Sequence, residues 1–151
     1  MIKEEYLRYY IEENADVYFE KWQNKPAGKI YIGWNWATFF AGFYWLLYRK
    51  MYAEFAVLYG IKLALEKLLP LIGLPVLLAD IVDICLYVFA NSLYQRKVIK
   101  AIDKAVAKYG DDEEGIKNEL ITAGGTSFLS VVVFICIVVF LTFFTNMGAL
   151  I

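Results

Sequence analysis

Residues 127 to 144 read Ser-Phe-Leu-Ser-Val-Val-Val-Phe-Ile-Cys-Ile-Val-Val-Phe-Leu-Thr-Phe-Phe and carry no charge. A helix rises about 1.5 Å per residue and the hydrocarbon core of a bilayer is about 30 Å thick, so this length and content are typical of a membrane-spanning helix. Gly124-Gly125-Thr126-Ser127 precedes the run and supplies a backbone break followed by a hydroxyl N-cap. The stretch therefore predicts a transmembrane helix at 127–146.

The composition of the chain agrees with a membrane location. Of its 151 residues, 60% are apolar, whereas a soluble domain is nearer half apolar. The formal net charge is −1, and because no basic excess is available to neutralise phosphates, we expect no nucleic-acid partner. Cys85 and Cys136 lie in apolar runs without the spacing of a metal site or a disulfide framework, so we expect two buried, reduced thiols.

Two further segments, 51–69 and 76–95, have about the length needed to cross a bilayer. Pro70-Leu-Ile-Gly-Leu-Pro75 between them supplies a helix stop and a turn, which predicts an antiparallel transmembrane hairpin. The uncharged segment 30–48 is long enough as well, but it mixes Trp and Tyr with glycine and polar residues. That mixture is typical of the headgroup region, so we interpret 30–48 as an interfacial or shallow re-entrant helix.

The remaining segments predict helices outside the bilayer. Apolar residues recur every three or four positions up to the stop signal Asn24-Lys25-Pro26-Ala27-Gly28, so residues 1–25 predict one amphipathic helix. Segment 96–120 predicts two more, the first ending at Gly110 and the second starting at Asp111-Asp112-Glu113-Glu114. We interpret these four carboxylates as helix caps rather than a cation site, and we expect neither a metal nor a cofactor.

Basic residues determine the predicted orientation, because Lys and Arg that flank membrane spans stay in the cytoplasm. If 30–48 only dips into the membrane, the charges of 1–50 and 96–119 share one side. If it spans, the two basic groups lie on opposite sides. The rule favours three spans with a cytoplasmic N-terminus, in a single membrane domain over 1–151. The first residues are charged and lack an apolar core, so we expect no signal peptide.

Charged residues within the hairpin form a candidate site. An ionisable residue at the bilayer centre costs about 2.5–3.5 kcal/mol on insertion scales and therefore usually pairs or faces water. Reflection of the hairpin about its turn brings Lys62 to the depth of Asp83, which predicts an ion pair, and brings Glu54 to the depth of Asn91. We define the polar seam as Glu54, Lys62, Asp80, Asp83 and Asn91. We interpret it as a structural register between two helices; the alternative is the lining of an ion or proton path.

A long motif carries a family resemblance: Asn35-Trp-Ala-Thr-Phe-Phe-Ala-Gly-Phe-Tyr-Trp-Leu-Leu-Tyr-Arg-Lys-Met-Tyr52. It resembles the signature of the domain of unknown function 2628, a family of small, mainly bacterial membrane proteins. Segments 90–98 and 124–127 are similar to later parts of the family pattern. Phe43 stands where the family commonly has a proline, so we expect a softer bend there. The resemblance implies a bacterial membrane, which we take as the inner membrane, and implies no activity.

The same motif defines a candidate interfacial anchor, which consists of Trp34, Trp36, Trp45, Tyr48, Arg49 and Lys50. Tyr and Trp favour headgroup depth because the ring is apolar and its tip is polar. Arg49 and Lys50 would meet lipid phosphates or the final carbonyls of the helix. We therefore expect membrane lipid to be one partner of the chain.

The residue content argues against an enzyme. No histidine occurs, which removes the commonest general base, and the sequence has no G-x-S-x-G, Walker-type, H-E-x-x-H or paired CxxC motif. We expect a non-catalytic adaptor or accessory subunit that acts through protein contacts, either with a second copy in a homo-oligomer or with a membrane or cytoplasmic protein. The alternative is an oligomeric pore or a small ion or solute transporter lined by the polar seam.

Overall fold

The structure, a computed structural model, describes residues 3–148. All regular elements in this part of the chain are helical, which confirms the predicted all-α class. In chain order they are α1 (Glu4–Ile11), α2 (Ala15–Trp22), α3 (Trp36–Ala41), α4 (Tyr44–Tyr48), α5 (Tyr52–Leu71), a 3₁₀ helix (Val76–Asp80), α6 (Ile81–Tyr109), α7 (Glu113–Ala123) and α8 (Phe128–Gly148).

The N-terminal segment forms two helices, so the prediction of a single helix over 1–25 is wrong. Glu12 (φ 55°) and Asn14 (φ 64°) have positive φ angles, which a right-handed helix cannot contain. The buried residues of α1 and α2 nevertheless follow the predicted apolar stripe: Tyr6, Tyr10, Ile11, Ala15, Tyr18 and Trp22. The periodicity identified the buried face correctly but could not reveal the turn between the two helices. Met1 and Ile2 lie outside the described residues.

The segment predicted as one helix over 30–48 is discontinuous. Residues 30–35 are extended, and the Gly33 and Asn35 amides donate to the carbonyl oxygens of Val88 and Tyr87 at 3.0 and 2.9 Å. Two short helices follow, α3 and α4, with a break at Gly42, whose φ of 56° favours glycine. The chain therefore breaks fully beside Phe43 instead of making the softer bend that we expected. Whether this segment dips into a membrane stays a prediction.

The predicted hairpin helices are present, but the second extends further than predicted. α5 matches the predicted 51–69 helix, and α6 continues through residue 95 without a break as far as Tyr109. The segment predicted as the second span and the first predicted helix of 96–120 thus belong to one helix of 29 residues, which ends at Gly110 (φ 59°) as predicted. Asp112 caps α7, since its Oδ1 accepts from the Gly115 amide at 3.0 Å. This hydrogen bond confirms the predicted capping role for Asp112, whereas Glu113 pairs with Lys3.

The buried core occupies one half of the molecule. α1, α2, α4, α7 and the second half of α6 surround its most enclosed side chains, which are Ile11, Leu46, Tyr94, Val98, Ile102, Ile116 and Leu120. The other half consists of α5, the first half of α6 and α8, and most of its apolar side chains are exposed. Cys85 and Cys136 are free but exposed on these helices, so the prediction that both thiols are buried is wrong. In the part of the chain that the structure describes, no other segment covers either thiol enough to bury it.

Two helical stretches, Val76–Tyr109 and Glu113–Thr145, are long and apolar enough to cross a membrane. The first contains the predicted span 76–95, and the second covers the predicted span 127–146 except its last residue. In the most apolar 18 residues of the first stretch, about a third are buried. In the most apolar 18 residues of the second stretch, none is buried. The third predicted span does not meet the same criterion, because α5 carries four charged residues, Glu54, Lys62, Glu66 and Lys67.

The glycine pair before α8 lies directly against α1. The Gly125 amide (φ 72°) donates to the carbonyl oxygen of Tyr10 at 2.7 Å. A Cβ atom on Gly124 would lie only 2.7 Å from the carbonyl carbon of Tyr10 and 2.8 Å from its Cα. Ser127 then caps α8, since its Oγ accepts from the Ser130 amide at 3.3 Å, as predicted. Glycine at position 124 therefore allows two backbones to touch.

Gly124→Ala is expected to lower the free energy of unfolding by about 1–3 kcal/mol, because the added methyl group must displace the rigid Tyr10 backbone. Thermal unfolding of the purified protein in detergent measures the effect. Gly60→Ala is the matched control, since nothing lies within 4 Å of its Cβ position in α5. There we expect a gain of up to about 1 kcal/mol from helix propensity. Equal stability of the two variants would contradict the close approach.

Candidate functional site

Arg49 is buried at the centre of the core, with only 4% of its surface exposed. Its guanidinium donates to the carbonyl oxygens of Ile11 at 3.3 Å and Glu13 at 3.2 Å. Ile11 is the last residue of α1, where peptide oxygens lack helical partners and the helix dipole favours a cation, and Glu13 lies in the turn that follows. Arg49 therefore holds the turn between α1 and α2 against the end of α4.

Three tyrosine rings surround the same guanidinium. Its central carbon lies 5.0 Å from the ring centroid of Tyr18, 5.3 Å from Tyr94 and 5.7 Å from Tyr48, all within cation–π range. Burial raises the pKa of the Tyr18 phenol, and the nearby charge of Arg49 opposes this rise. Within residues 3–148 no carboxylate forms a salt bridge with Arg49. Carbonyl dipoles and aromatic faces thus stabilise this buried charge.

Lys50 and Lys97 tie the same motif to the rest of the chain. Lys50 has a positive φ of 55° and donates its ammonium to the carbonyl oxygen of Gly124. Lys97 in α6 donates to the carbonyl oxygen of Lys50 at 2.6 Å, and the Ser127 amide donates to that of Tyr48 at 2.7 Å. The three segments that carry the family resemblance therefore meet at one junction.

The six residues of the candidate interfacial anchor fall into two groups. Trp34 and Trp36 are exposed and pack edge to face with ring centroids 5.7 Å apart; they continue into an aromatic surface with Phe39, Phe40 and Tyr87. Trp45 and Arg49 are buried, so they contact protein rather than a surrounding medium. Tyr48 hydrogen-bonds Glu13 Oε2 at 3.0 Å. Arg49 does not bind the final carbonyls of its own helix, as one of the two alternatives predicted; its acceptors are the carbonyls of Ile11, the last residue of α1, and of Glu13 in the turn that follows.

Lys62 bridges the hairpin as predicted. Its ammonium pairs with Asp83 and also with Asp80, whose Oδ1 lies at 3.2 Å. The side chains of Lys62 and Asp83 are only 18% and 16% exposed, whereas that of Asp80 is 53% exposed. One cation is therefore shared by two carboxylates where α5 passes the start of α6. The arrangement holds the two helices in register.

The other end of the polar seam differs from the prediction. Asn91 does not face Glu54; its Oδ1 accepts from Asn35 Nδ2 at 3.0 Å, and its own amide donates to the Trp34 carbonyl at 3.0 Å. Glu54 instead lies 3.8 Å from the ammonium of Lys97. The predicted Glu54–Asn91 proximity considered only α5 and α6. In the structure, segment 30–35 packs against the polar face of α6 at Asn91 instead.

Sequence reasoning missed several buried polar residues in this region. Thr38, Ser92 and Gln95 are almost fully enclosed, and Tyr18 and Tyr94 contribute to the surroundings of Arg49. Four of the α6 residues from 91 to 95 are buried although three are polar: Asn91, Ser92, Tyr94 and Gln95. These polar residues lie between an apolar stretch and a basic stretch. That pattern could have predicted that other parts of the chain cover this segment.

These features define a class: an all-helical protein with a polar and aromatic junction and two helical stretches apolar enough to cross a membrane. The chain belongs to the family described as "Protein of unknown function (DUF2628)", whose family model matches residues 6–99. The motif at 35–52 lies within that match, which confirms the family resemblance, and the glycine pair at 124–125 lies beyond it. No curated protein and no solved structure matches the chain.

Proposed function

We propose that this chain is a multi-pass protein of the bacterial inner membrane that acts as a non-catalytic adaptor or accessory subunit. The exposure of α8 carries the membrane part of the proposal. None of residues 128–145 is buried, although most of them are Val, Ile, Leu or Phe. A helix that is apolar on all sides is stable only in an apolar medium. The core helix of a soluble protein would be covered by other parts of its own chain.

The surface of α5 supports its assignment as a third span. Its charged residues Glu54 and Lys62 point toward α6, where they lie near Lys97 and the two aspartates. Much of its remaining surface exposes apolar side chains: Val57, Ile61, Leu63 and Leu68. Intramembrane charges that face protein and pair with each other are the tolerated kind. We therefore propose spans at 52–71, 76–95 and 128–146. By the positive-inside rule, the charged segments 1–50 and 96–119 then lie in the cytoplasm.

The helical layer outside the proposed spans supports an adaptor role. α6 joins the second span to this layer without a break, so the two parts are mechanically coupled. α1, α7 and the end of α6 enclose a cleft of about 690 Å³ with both signs of charge on its walls, from Lys3, Asp103, Asp111 and Glu113. A concave surface with mixed charge suits a polar protein contact.

Membrane fractionation and cysteine labelling test this proposal. We expect the full-length protein to remain in the membrane pellet after an alkaline carbonate wash. In a background with Cys85→Ala and Cys136→Ala, we expect Leu74→Cys to react with an impermeant maleimide in intact cells. Lys104→Cys should react only in inverted vesicles. Recovery in the carbonate supernatant overturns the membrane assignment, and reversed labelling overturns the topology.

Charge reversal in the cytoplasmic cleft tests the adaptor role. After purification in mild detergent, Asp111→Lys should lose a protein that co-purifies with the unmodified chain, because Asp111 lines the cleft. Glu20→Lys changes an exposed acid on α2 away from the cleft and should retain the partner. A chain that purifies alone as a monomer, or equal retention by both variants, contradicts the role.

A further inference from the structure

An apolar cleft runs along α5 and α6. It has two parts, of about 250 and 320 Å³, which share Leu58 and Leu93 as wall residues. One part is lined only by apolar residues and the Cys85 thiol, and it includes Ile30, Leu86 and Phe89. The other part continues along α5 through Ala53 and Val57 to Glu54. The cleft therefore has an apolar body and a single charged end.

Glu54 at that end lacks hydrogen-bond donors. Among residues 3–148, no side chain or backbone amide donates to its carboxylate; its Oε2 atom is enclosed, but the side chain as a whole is 31% exposed. The ammonium of Lys97 lies 3.8 Å away, beyond hydrogen-bond distance, and donates at 2.6 Å to the Lys50 carbonyl instead. A carboxylate has lone pairs for about four hydrogen bonds, and leaving them unused in low dielectric is costly. The site thus favours a ligand that brings a charged donor.

We propose that this cleft binds one aminophospholipid, with an acyl chain along the apolar body. Its primary ammonium donates to the open side of Glu54, and its phosphate lies beside Lys97. The inference rests on the proposed membrane location, which places the charged end of the cleft near the cytoplasmic headgroups. A zwitterionic headgroup complements a carboxylate next to an ammonium, with each charge meeting its opposite.

Other occupants match the charged end less well. An anionic lipid would bring a phosphate to Glu54 without a cation to neutralise it. A choline lipid has the right charges, but its quaternary ammonium has no N–H to donate. The uncharged α8 of a second copy could fill the apolar body, but residues 128–145 include no ionic donor for Glu54.

Native mass spectrometry of the full-length protein in detergent micelles tests the proposal. We add phosphatidylethanolamine, phosphatidylcholine or phosphatidylglycerol with identical acyl chains. We expect one ethanolamine lipid per chain, bound at least tenfold more tightly than either alternative. Glu54→Gln should reduce this preference to about the level of the choline lipid. Glu66→Gln is the matched control, since Glu66 lies on the same helix outside the cleft lining.

Leu58→Trp tests the apolar body, because Leu58 borders both parts of the cleft. It should weaken binding of the lipid at least fivefold, while Leu63→Trp on the exposed face of α5 should not. Equal binding of ethanolamine and choline lipids, or an unchanged preference in Glu54→Gln, overturns the proposal. The proposal is also overturned if the protein is a dimer and Leu58→Trp separates the two copies without loss of lipid. A second copy would then occupy the cleft. If the protein stays in the carbonate pellet but shows no preference for the ethanolamine lipid, the lipid site is refuted and the membrane location is not.

Discussion

Arg49→Ala is expected to lower the free energy of unfolding by about 3 kcal/mol. Hydrogen bonds to a charged group contribute about 1.5–3 kcal/mol each, and this variant removes two, to Ile11 and Glu13. It also removes the cation between three tyrosine rings and leaves buried carbonyls without donors. Chemical unfolding of the detergent-solubilised protein measures the loss.

A second measurement localises the effect of Arg49. The guanidinium holds the turn at residues 12–14, so Arg49→Ala should increase proteolytic cleavage there before the rest of the chain unfolds. Arg49→Lys keeps the charge but loses the planar guanidinium. Its stability should lie between that of the unmodified protein and that of Arg49→Ala. Arg8→Ala is the matched control, since Arg8 pairs with Glu4 and Asp16 on the exposed surface and should cost at most about 1 kcal/mol. Similar losses for Arg8→Ala and Arg49→Ala would contradict the assigned role.

Lys62→Met is expected to lower the free energy of unfolding by about 3–5 kcal/mol, because it leaves two carboxylates close together without their cation. The effect depends on the proposed low-dielectric surroundings. The triple variant Lys62→Met/Asp80→Asn/Asp83→Asn should recover most of the loss, because removal of the whole cluster leaves no unpaired charge. Lys67→Met, at an exposed position on the same helix, should change stability little.

Flux measurements separate this structural role from an ion path. Purified protein in liposomes should show no conductance, and Asp83→Asn should leave proton and cation flux unchanged. Flux in the unmodified protein that Asp83→Asn abolishes would favour the pore alternative. A stable Lys62→Met variant would instead show that water reaches the cluster and weakens the ion pair.

The sequence predicted the features that depend on short-range physics. Hydrophobic periodicity located most of the helices. Turn and cap chemistry located most of their ends: Gly73 and Pro75 in the hairpin turn, Gly110 after α6, Asp112 before α7 and Ser127 before α8. The depth argument found the Lys62–Asp83 pair, because only two helices with a proline-bounded turn were involved. The motif at 35–52 identified the family.

Errors appeared wherever a third element takes part. The apolar stripe runs through α1 and α2 alike, so periodicity could not reveal the turn at 12–14 that Arg49 stabilises. Asn91 pairs with Asn35 because an extended segment lies against α6, and no local pattern predicts that pairing. The two cysteines were placed inside because apolar neighbours usually mean burial, but in this chain an apolar face can also be an outer face.

The sequence by itself determined the all-helical class, the apolar runs, the family and the hairpin ion pair, since each depends on residue type and spacing along one or two neighbouring elements. Only the tertiary structure decided which face of each helix is covered, because burial depends on contacts between segments far apart in the chain. It places Arg49 and Trp45 inside while Trp34 and Trp36 stay outside, although all four belong to one aromatic and basic stretch. It also gives Gly124 its role, because only the approach of α1 makes a side chain at that position unfavourable.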